Sequence, residues 1–127
     1  MTAPKYLFTL TLLLATTATP PVLPAQEADR FALPKSEEGL PGEGKLRRYN
    51  GYVKTWASRR AAWSKQIKQD QKAVVFLGDS ITQGWGDNLG GSFPGVKVAN
   101  RGISGDTTGG VLIRLQEDVL SLKPSGV

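Results

Sequence analysis

The sequence predicts an α/β protein built on a parallel β-sheet, and two apolar segments, each followed by a helical pattern, support that prediction. Residues 73–77 form a continuous apolar run, and residues 96–99 form a second, shorter one. A continuous apolar run is typical of a strand that is buried on both faces of a parallel sheet. The order strand, helix, strand, helix implies right-handed crossovers. At 127 residues, the chain is long enough for one small domain.

The composition excludes several kinds of active site. The chain has no Cys and no His, so it can form no disulfide and no thiolate nucleophile, and it offers no Cys or His ligand to a metal. The usual general base of a serine hydrolase is also missing. With 39% hydrophobic and 21% charged residues, the composition is typical of a folded soluble protein rather than a disordered or membrane-embedded one. We expect no metal and no organic cofactor.

Residues 1–25 are predicted to be a secretory signal peptide. Lys5 provides the positive charge, residues 6–15 form an uncharged apolar run, and a stretch of small residues and prolines ends at Ala25. This apolar run is too short for a membrane-spanning helix, which takes about 20 residues. Ala18 and Ala25 both suit cleavage. We therefore expect an exported protein, periplasmic or extracellular, with no stable membrane span.

The mature chain is predicted to begin with an arm and a basic helix. Residues 26–44 are polar and rich in Pro and Gly, which is typical of a linker or of an arm on the surface. Residues 45–72 hold nine basic residues and one acid, and they are predicted to contain a basic amphipathic helix from Tyr49 to Gln69, whose apolar stripe is interrupted only by Arg60. The apolar stripe of this helix is Tyr49, Val53, Trp56, Trp63 and Ile67.

Two interpretations of this basic helix stay open. In the first, its basic face binds an anionic surface such as lipid headgroups. In the second, the helix packs its two Trp side chains on a core while Lys and Arg face water. Nucleic acid is not expected as a partner, because the chain is predicted to be exported.

Two glycine-rich turns, residues 78–80 and 101–106, follow the predicted strands. Because the carboxyl ends of parallel strands share one edge of a sheet, we expect these turns to meet in space. In the first turn, Ser80 opens a helix with its hydroxyl exposed, while Gly102 and Gly105 of the second let backbone N–H groups approach a substrate oxygen. A nucleophile beside converging N–H groups is typical of an acyl-transfer site. The alternative is a pair of ordinary strand–helix turns in which Ser80 is an N-cap.

The last part of the chain is predicted to be a helix followed by the start of a third strand. Residues 107–120 have a helical pattern, with Asp106 at the N-cap position. Gly109 and Gly110 are unfavourable inside a helix, so they indicate close backbone packing. Residues 123–127 resemble the entry to a strand that the chain does not complete.

Two segments resemble signature blocks of the SGNH hydrolases, also called the GDSL lipase and acylhydrolase family. The segment VVFLGDSITQGW is similar to the family's first block, and VKVANRGISGDTTGGVLIRL is similar to its second. The resemblance covers about residues 73–127. It implies a three-layer α/β/α, flavodoxin-like parallel sheet that is incomplete in this chain. It also implies an ester hydrolase that forms an acyl-enzyme on Ser80 from a small-molecule, carbohydrate or lipid ester.

The same resemblance implies roles for individual residues. Ser80 would be the nucleophile, and the N–H groups of Ser80 and Gly105 would be two oxyanion donors. Four residues would shape the site: Gly78, Asp79, Asn100 and Asp106.

The family's later blocks, which supply an Asn donor and an Asp-x-x-His pair, have no counterpart in the sequence. We therefore expect the chain to be the N-terminal portion of an enzyme and to be essentially inactive by itself. The alternative, from a different class, is an exported non-enzymatic module that binds an anionic surface through residues 45–72.

Overall fold

The computed structural model describes residues 30–42 and 45–127, and these form a mixed α/β protein with a two-stranded parallel sheet. The predicted signal peptide, residues 1–25, lies outside the described residues, as does part of the predicted arm. Over the ranges that are described, no helix is both long enough and apolar enough to cross a membrane.

Helix α1 spans Asn50–Ser64 and is followed by turns, so it is shorter than predicted. Its buried face is also rotated from the predicted stripe, because Tyr49 and Val53 are exposed. Arg60 lies on the buried face, since its guanidinium pairs with acidic side chains of the last helix, and a paired charge can be buried. The buried residues of α1 are Tyr52, Trp56, Arg60 and Trp63.

The two strands run parallel and in register. Strand β1 is Val74–Gly78 and strand β2 is Val98–Gly102, and their partners run from Val74 with Val98 to Gly78 with Gly102. Strand β2 therefore starts and ends later than the predicted residues 96–99. Val96 lies outside β2, with 52% of its surface exposed. The bounds of β2 are set by its hydrogen-bonded pairing with β1, and the apolar run does not coincide with that pairing.

The end of the chain pairs with the other edge of β1. Gly126 forms a parallel bridge with Val74, and its carbonyl accepts the Val75 N–H at 2.8 Å. The neighbouring Val74 N–H donates to Lys97, on the β2 side, at 2.9 Å. Successive N–H groups of a strand point to opposite sides, so Gly126 lies across β1 from β2. The predicted strand entry at residues 123–127 is confirmed to this extent.

Helix α2, Ser80–Gly84, follows β1, and helix α3, Thr108–Asp118, follows β2. The N-cap of α3 is Thr107, whose hydroxyl accepts the Gly110 N–H at 3.2 Å. The prediction that Asp106 caps this helix is wrong, because the Asp106 carboxylate turns inward to other partners. A short 3₁₀ helix, Leu120–Leu122, follows α3 and precedes the segment that pairs with β1.

Two apolar clusters form the core. One joins the predicted arm to α1, so residues 30–42 are an arm packed on the domain through Phe31 and Leu33. Its buried members include Leu33, Leu46, Tyr52, Trp56, Trp63 and Ile103. The other lies between the sheet and the end of the chain, and its buried members are Ala73, Val75, Ala99, Val119 and Leu122.

Candidate active site

The first turn leads from β1 into α2 and leaves Ser80 exposed. The N-cap of α2 is Asp79, whose Oδ1 accepts a hydrogen bond from the Ile81 N–H at 3.0 Å. The Asp79 carbonyl also accepts the Gln83 N–H at 3.0 Å. Because Asp79 caps the helix, the assignment of Ser80 as the N-cap is wrong, while the alternative of two ordinary strand–helix turns stays open. The Ser80 hydroxyl is therefore not needed to cap the N-terminus of α2.

Two glycines allow the strand ends to lie against α2. A Cβ on Gly78 would overlap the Thr82 hydroxyl, and a Cβ on Gly102 would overlap the backbone nitrogen of Gln83. A Cβ on Gly102 would also lie 2.9 Å from the carbonyl oxygen of Asp79. Gly78 and Gly102 are themselves partners in the sheet. The expectation that the two turns meet at one edge is confirmed.

The Asn100 side chain connects α2 and the loop that follows it to the end of β2 by hydrogen bonds. Its Nδ2 donates to the carbonyl oxygens of Thr82 at 2.6 Å and Gly86 at 2.8 Å. Its Oδ1 accepts the Gly102 N–H at 2.8 Å. The amide is buried and uses both its donor and its acceptor, so it ties the end of α2 to the start of the second turn.

The second turn is held by α2 on one side and by a tyrosine on the other. The Ser104 N–H donates to the Oε1 of Gln83 at 2.7 Å. Gly105 has a φ of +85°, a left-handed conformation that favours glycine. A Cβ on Gly105 would also lie 2.5 Å from the Tyr49 hydroxyl. Glycine is therefore favoured here by its conformation, and a side chain would also displace the Tyr49 hydroxyl.

Asp106 is buried at the start of α3, and its carboxylate has four donors. Its Oδ2 pairs with Arg114, 2.8 Å from Nε and 2.7 Å from Nη2. Its Oδ1 accepts the Tyr52 hydroxyl at 3.0 Å and the Thr107 N–H at 2.9 Å. Burial, together with the Asp106 charge, raises the pKa of Tyr52 well above its usual value. The carboxylate is thus occupied in holding the turn against α1.

Sequence reasoning missed a set of buried ion pairs below the turns, which we call the buried ionic layer. Arg101 donates to Asp70 at 2.7 Å, and Arg60 donates to Asp118 at 2.8 Å. Burial raises the pKa of the Asp118 carboxyl, against the attraction of the Arg60 charge. The one sequence signal of this layer was Arg60, a charged residue within the predicted apolar stripe of α1. The layer consists of Arg60, Arg101, Arg114, Asp70, Asp106 and Asp118.

Trp63 lies among the arginines of this region. The guanidinium carbons of Arg59 and Arg101 are each 5.0 Å from its ring centroid, and that of Arg114 is 5.6 Å away. Cations at this distance from an indole are attracted to its face. The Trp side chain therefore helps to accommodate several positive charges in a buried space.

The basic surface required by the binding-module alternative loses two of its members. Arg60 is 5% exposed. Arg59 is half-buried, its guanidinium lies 3.8 Å from Asp87, and burial lowers its pKa. The basic residues of 45–72 that stay exposed are Lys45, Arg47, Arg48, Lys54, Lys65, Lys68 and Lys72.

An open cleft of about 580 Å³ lies beside the first turn. It is bounded by the end of β1 and Asp79, by the first residues of α3, and by Val127. Thr107 and Thr108 provide polar groups on the α3 side, while Leu77 provides an apolar one. Ser80 follows Asp79 directly in the chain but is not among the residues that line this cleft.

Comparisons with known proteins add no relative of this chain. No protein-family model matches the sequence, and neither a curated protein nor a solved structure matches it.

Proposed function

We propose that the chain carries the nucleophile and two oxyanion donors of a serine ester hydrolase of the SGNH type. The observation that carries the proposal is that the residue that caps α2 and the candidate nucleophile are different residues of the first turn. Asp79 caps α2, so the adjacent Ser80 keeps an exposed hydroxyl at the carboxyl edge of the sheet. The buried Asn100 amide ties α2, the helix that begins at Ser80, to Gly102 of the second turn, which supports a site made from both turns.

In the proposed reaction, the Ser80 Oγ attacks the carbonyl carbon of the ester and gives its proton to a base. The negative charge that develops on the carbonyl oxygen is stabilised by the N–H groups of Ser80 and Gly105. The C–O bond to the leaving alcohol then breaks, the alcohol takes the proton, and an acyl-enzyme remains. Water hydrolyses this ester and regenerates Ser80.

The proposal places the base outside these 127 residues, because they contain no His. Asp106, the acid nearest to Gly105 in sequence, has its carboxylate occupied by Arg114 and Tyr52. Loss of triad members costs about 10⁴–10⁶ in rate. We therefore expect the 127-residue chain to hydrolyse esters at close to the rate in buffer.

The finer fold is also part of this proposal. Parallel pairing of β1 with β2, and of β1 with the Gly126 segment on its other edge, agrees with a flavodoxin-like order in which the first strand lies between the second and the third. We propose that the complete domain is a three-layer α/β/α sheet. We also propose that the protein is exported, with residues 1–25 as its signal peptide.

The proposal is tested with Ser80→Ala in a form extended through the downstream coding sequence, and with Ser92→Ala as the matched control. Ser92 is another exposed serine, outside both turns. With a short-chain aryl ester as substrate, Ser80→Ala is expected to lower kcat about 10⁴-fold or more, while Ser92→Ala leaves it unchanged. Hydrolysis that survives Ser80→Ala, or an extended sequence without an Asp-x-x-His segment, would show that the proposal is wrong.

A further inference from the structure

Tyr49 occupies a helix position that its side chain does not suit. It is the N-cap of α1, and its side chain makes no capping hydrogen bond. Ser, Thr, Asp and Asn are strongly preferred at this position, because their side chains accept the free N–H groups of the first turn. Residues that break a local rule without a compensating gain are expected at functional sites. Helix stability alone therefore gives no reason for a tyrosine here.

The Tyr49 hydroxyl lies against the backbone of the second turn. If Gly105 carried a Cβ, that atom would lie only 2.5 Å from the Tyr49 hydroxyl oxygen. The residue is nevertheless 55% exposed, so Tyr49 lies at the surface and not in the core. A polar group of a surface residue is thus placed beside the backbone of a proposed oxyanion donor.

The Tyr49 ring packs near the buried Tyr52 ring. Its centroid is 6.0 Å from that of Tyr52, and the Tyr52 hydroxyl donates to Asp106, the residue that follows Gly105. The two tyrosines come from the same end of α1, outside both glycine-rich turns. This contact places the Tyr49 ring beside a residue that is itself tied to the second turn.

We propose that Tyr49 is a further hydrogen-bond donor of the candidate site, whose hydroxyl binds the same carbonyl or carboxylate oxygen as the Gly105 N–H. This inference rests on the proposed function and extends it, since it adds a side-chain donor from α1 to two backbone donors. Tyrosine hydroxyls are among the groups that stabilise oxyanions in acyl transfer. The ligand class is an acyl group, as an ester or as its product carboxylate.

The test uses carboxylate binding by the 127-residue chain and needs no catalysis. Butyrate is titrated while the backbone amide resonances of Ser80 and Gly105 are followed by NMR. Both amides are expected to shift saturably in the wild-type chain. Tyr49→Phe, which removes only a hydroxyl, is expected to raise the Kd at least threefold. Trp85→Phe, a change at another exposed aromatic residue, is the matched control and is expected to leave the Kd within 1.5-fold.

An unchanged Kd in Tyr49→Phe, or no saturable shift at these amides in the wild-type chain, would overturn the inference. Failure of the proposed function is seen separately, as ester hydrolysis that survives Ser80→Ala in the extended form. A merely structural role for Tyr49 would change the melting temperature of Tyr49→Phe without changing its Kd. The two measurements therefore separate a binding role from a packing role.

Discussion

The glycine-rich turns and the buried ionic layer below them use their polar side chains in opposite ways. In the first turn, Ser80 and Asp79 are exposed to water. In the layer, Arg101 is 2% and Arg114 is 0% exposed, and each is paired with a buried aspartate. Asp106 belongs to both regions, because it follows Gly105 and pairs with Arg114.

This difference distinguishes residues that hold the structure together from the residue that is proposed to react. A buried charge must be paired to be tolerated, so the charges of the layer are committed to holding the turns. A group that reacts with a substrate must be free, and Ser80 is left free because its neighbours do the capping and tying. The comparison predicts that changes in the layer reduce stability, whereas a change at Ser80 leaves stability intact.

The largest loss of stability is expected for Arg114→Met. This change leaves the Asp106 carboxylate buried without its guanidinium partner, and breaking a buried pair costs about 3–5 kcal/mol. The measurement is the free energy of unfolding in urea. The control is Arg48→Ala, which removes a pair with Glu37 that is well exposed and contributes about 0–1 kcal/mol. Equal losses in the two variants would contradict the distinction between the layer and the surface.

A smaller loss is expected for Gly102→Ala, because the added methyl group meets the backbone of α2. Overpacking of this kind costs about 1–3 kcal/mol. Gly84→Ala is the matched control, since a Cβ there meets nothing within 4 Å and alanine favours the helix by about 0.5–1 kcal/mol. Thermal unfolding of the two variants should therefore shift in opposite directions; a shared direction would argue against close packing of the turns.

Asp79→Ala is expected to destabilise the chain by about 1 kcal/mol, the usual cost of losing an N-cap. Asp87→Ala, which removes an exposed acid, should cost less. Ser80→Ala should lie within about 0.5 kcal/mol of wild type. If Ser80→Ala proved as destabilising as Asp79→Ala in chemical denaturation, Ser80 would have a structural role that the geometry does not show.

The smallest effect is a change in pH dependence. Burial raises the pKa of Asp118 in the folded chain above its ordinary value near 3.8, so the folded state binds this proton more tightly than the unfolded state. Stability from this group is therefore greatest below pH 3.8 and falls as the pH rises through the raised pKa. Asp118→Asn should remove that part of the decline. A wild-type curve parallel to the variant's above pH 3.8 would contradict the shift.

The exposed region was more predictable from the sequence than the buried layer. The apolar run of β1, the glycines of both turns and the helix after each strand have local signatures, and the structure places them at one edge. The layer has none, because pairs such as Arg60 with Asp118 join distant parts of the chain. Periodicity treats a charged residue as exposed, which is why the buried face of α1 was wrongly predicted. Tyr49 was assigned to the apolar stripe because it is aromatic, and its contact with Gly105 was missed because that contact joins distant parts of the chain.

The most direct test of the central claim is covalent labelling of the extended form with an alkyl fluorophosphonate. This reagent bonds phosphorus to an activated serine Oγ and releases fluoride. Trypsin cleavage after Lys72 and Lys97 gives one peptide that contains both Ser80 and Ser92, so fragmentation by mass spectrometry distinguishes them. The account predicts one adduct, on Ser80, and none in Ser80→Ala. An adduct on another residue, or ester hydrolysis without labelling of Ser80, would contradict it.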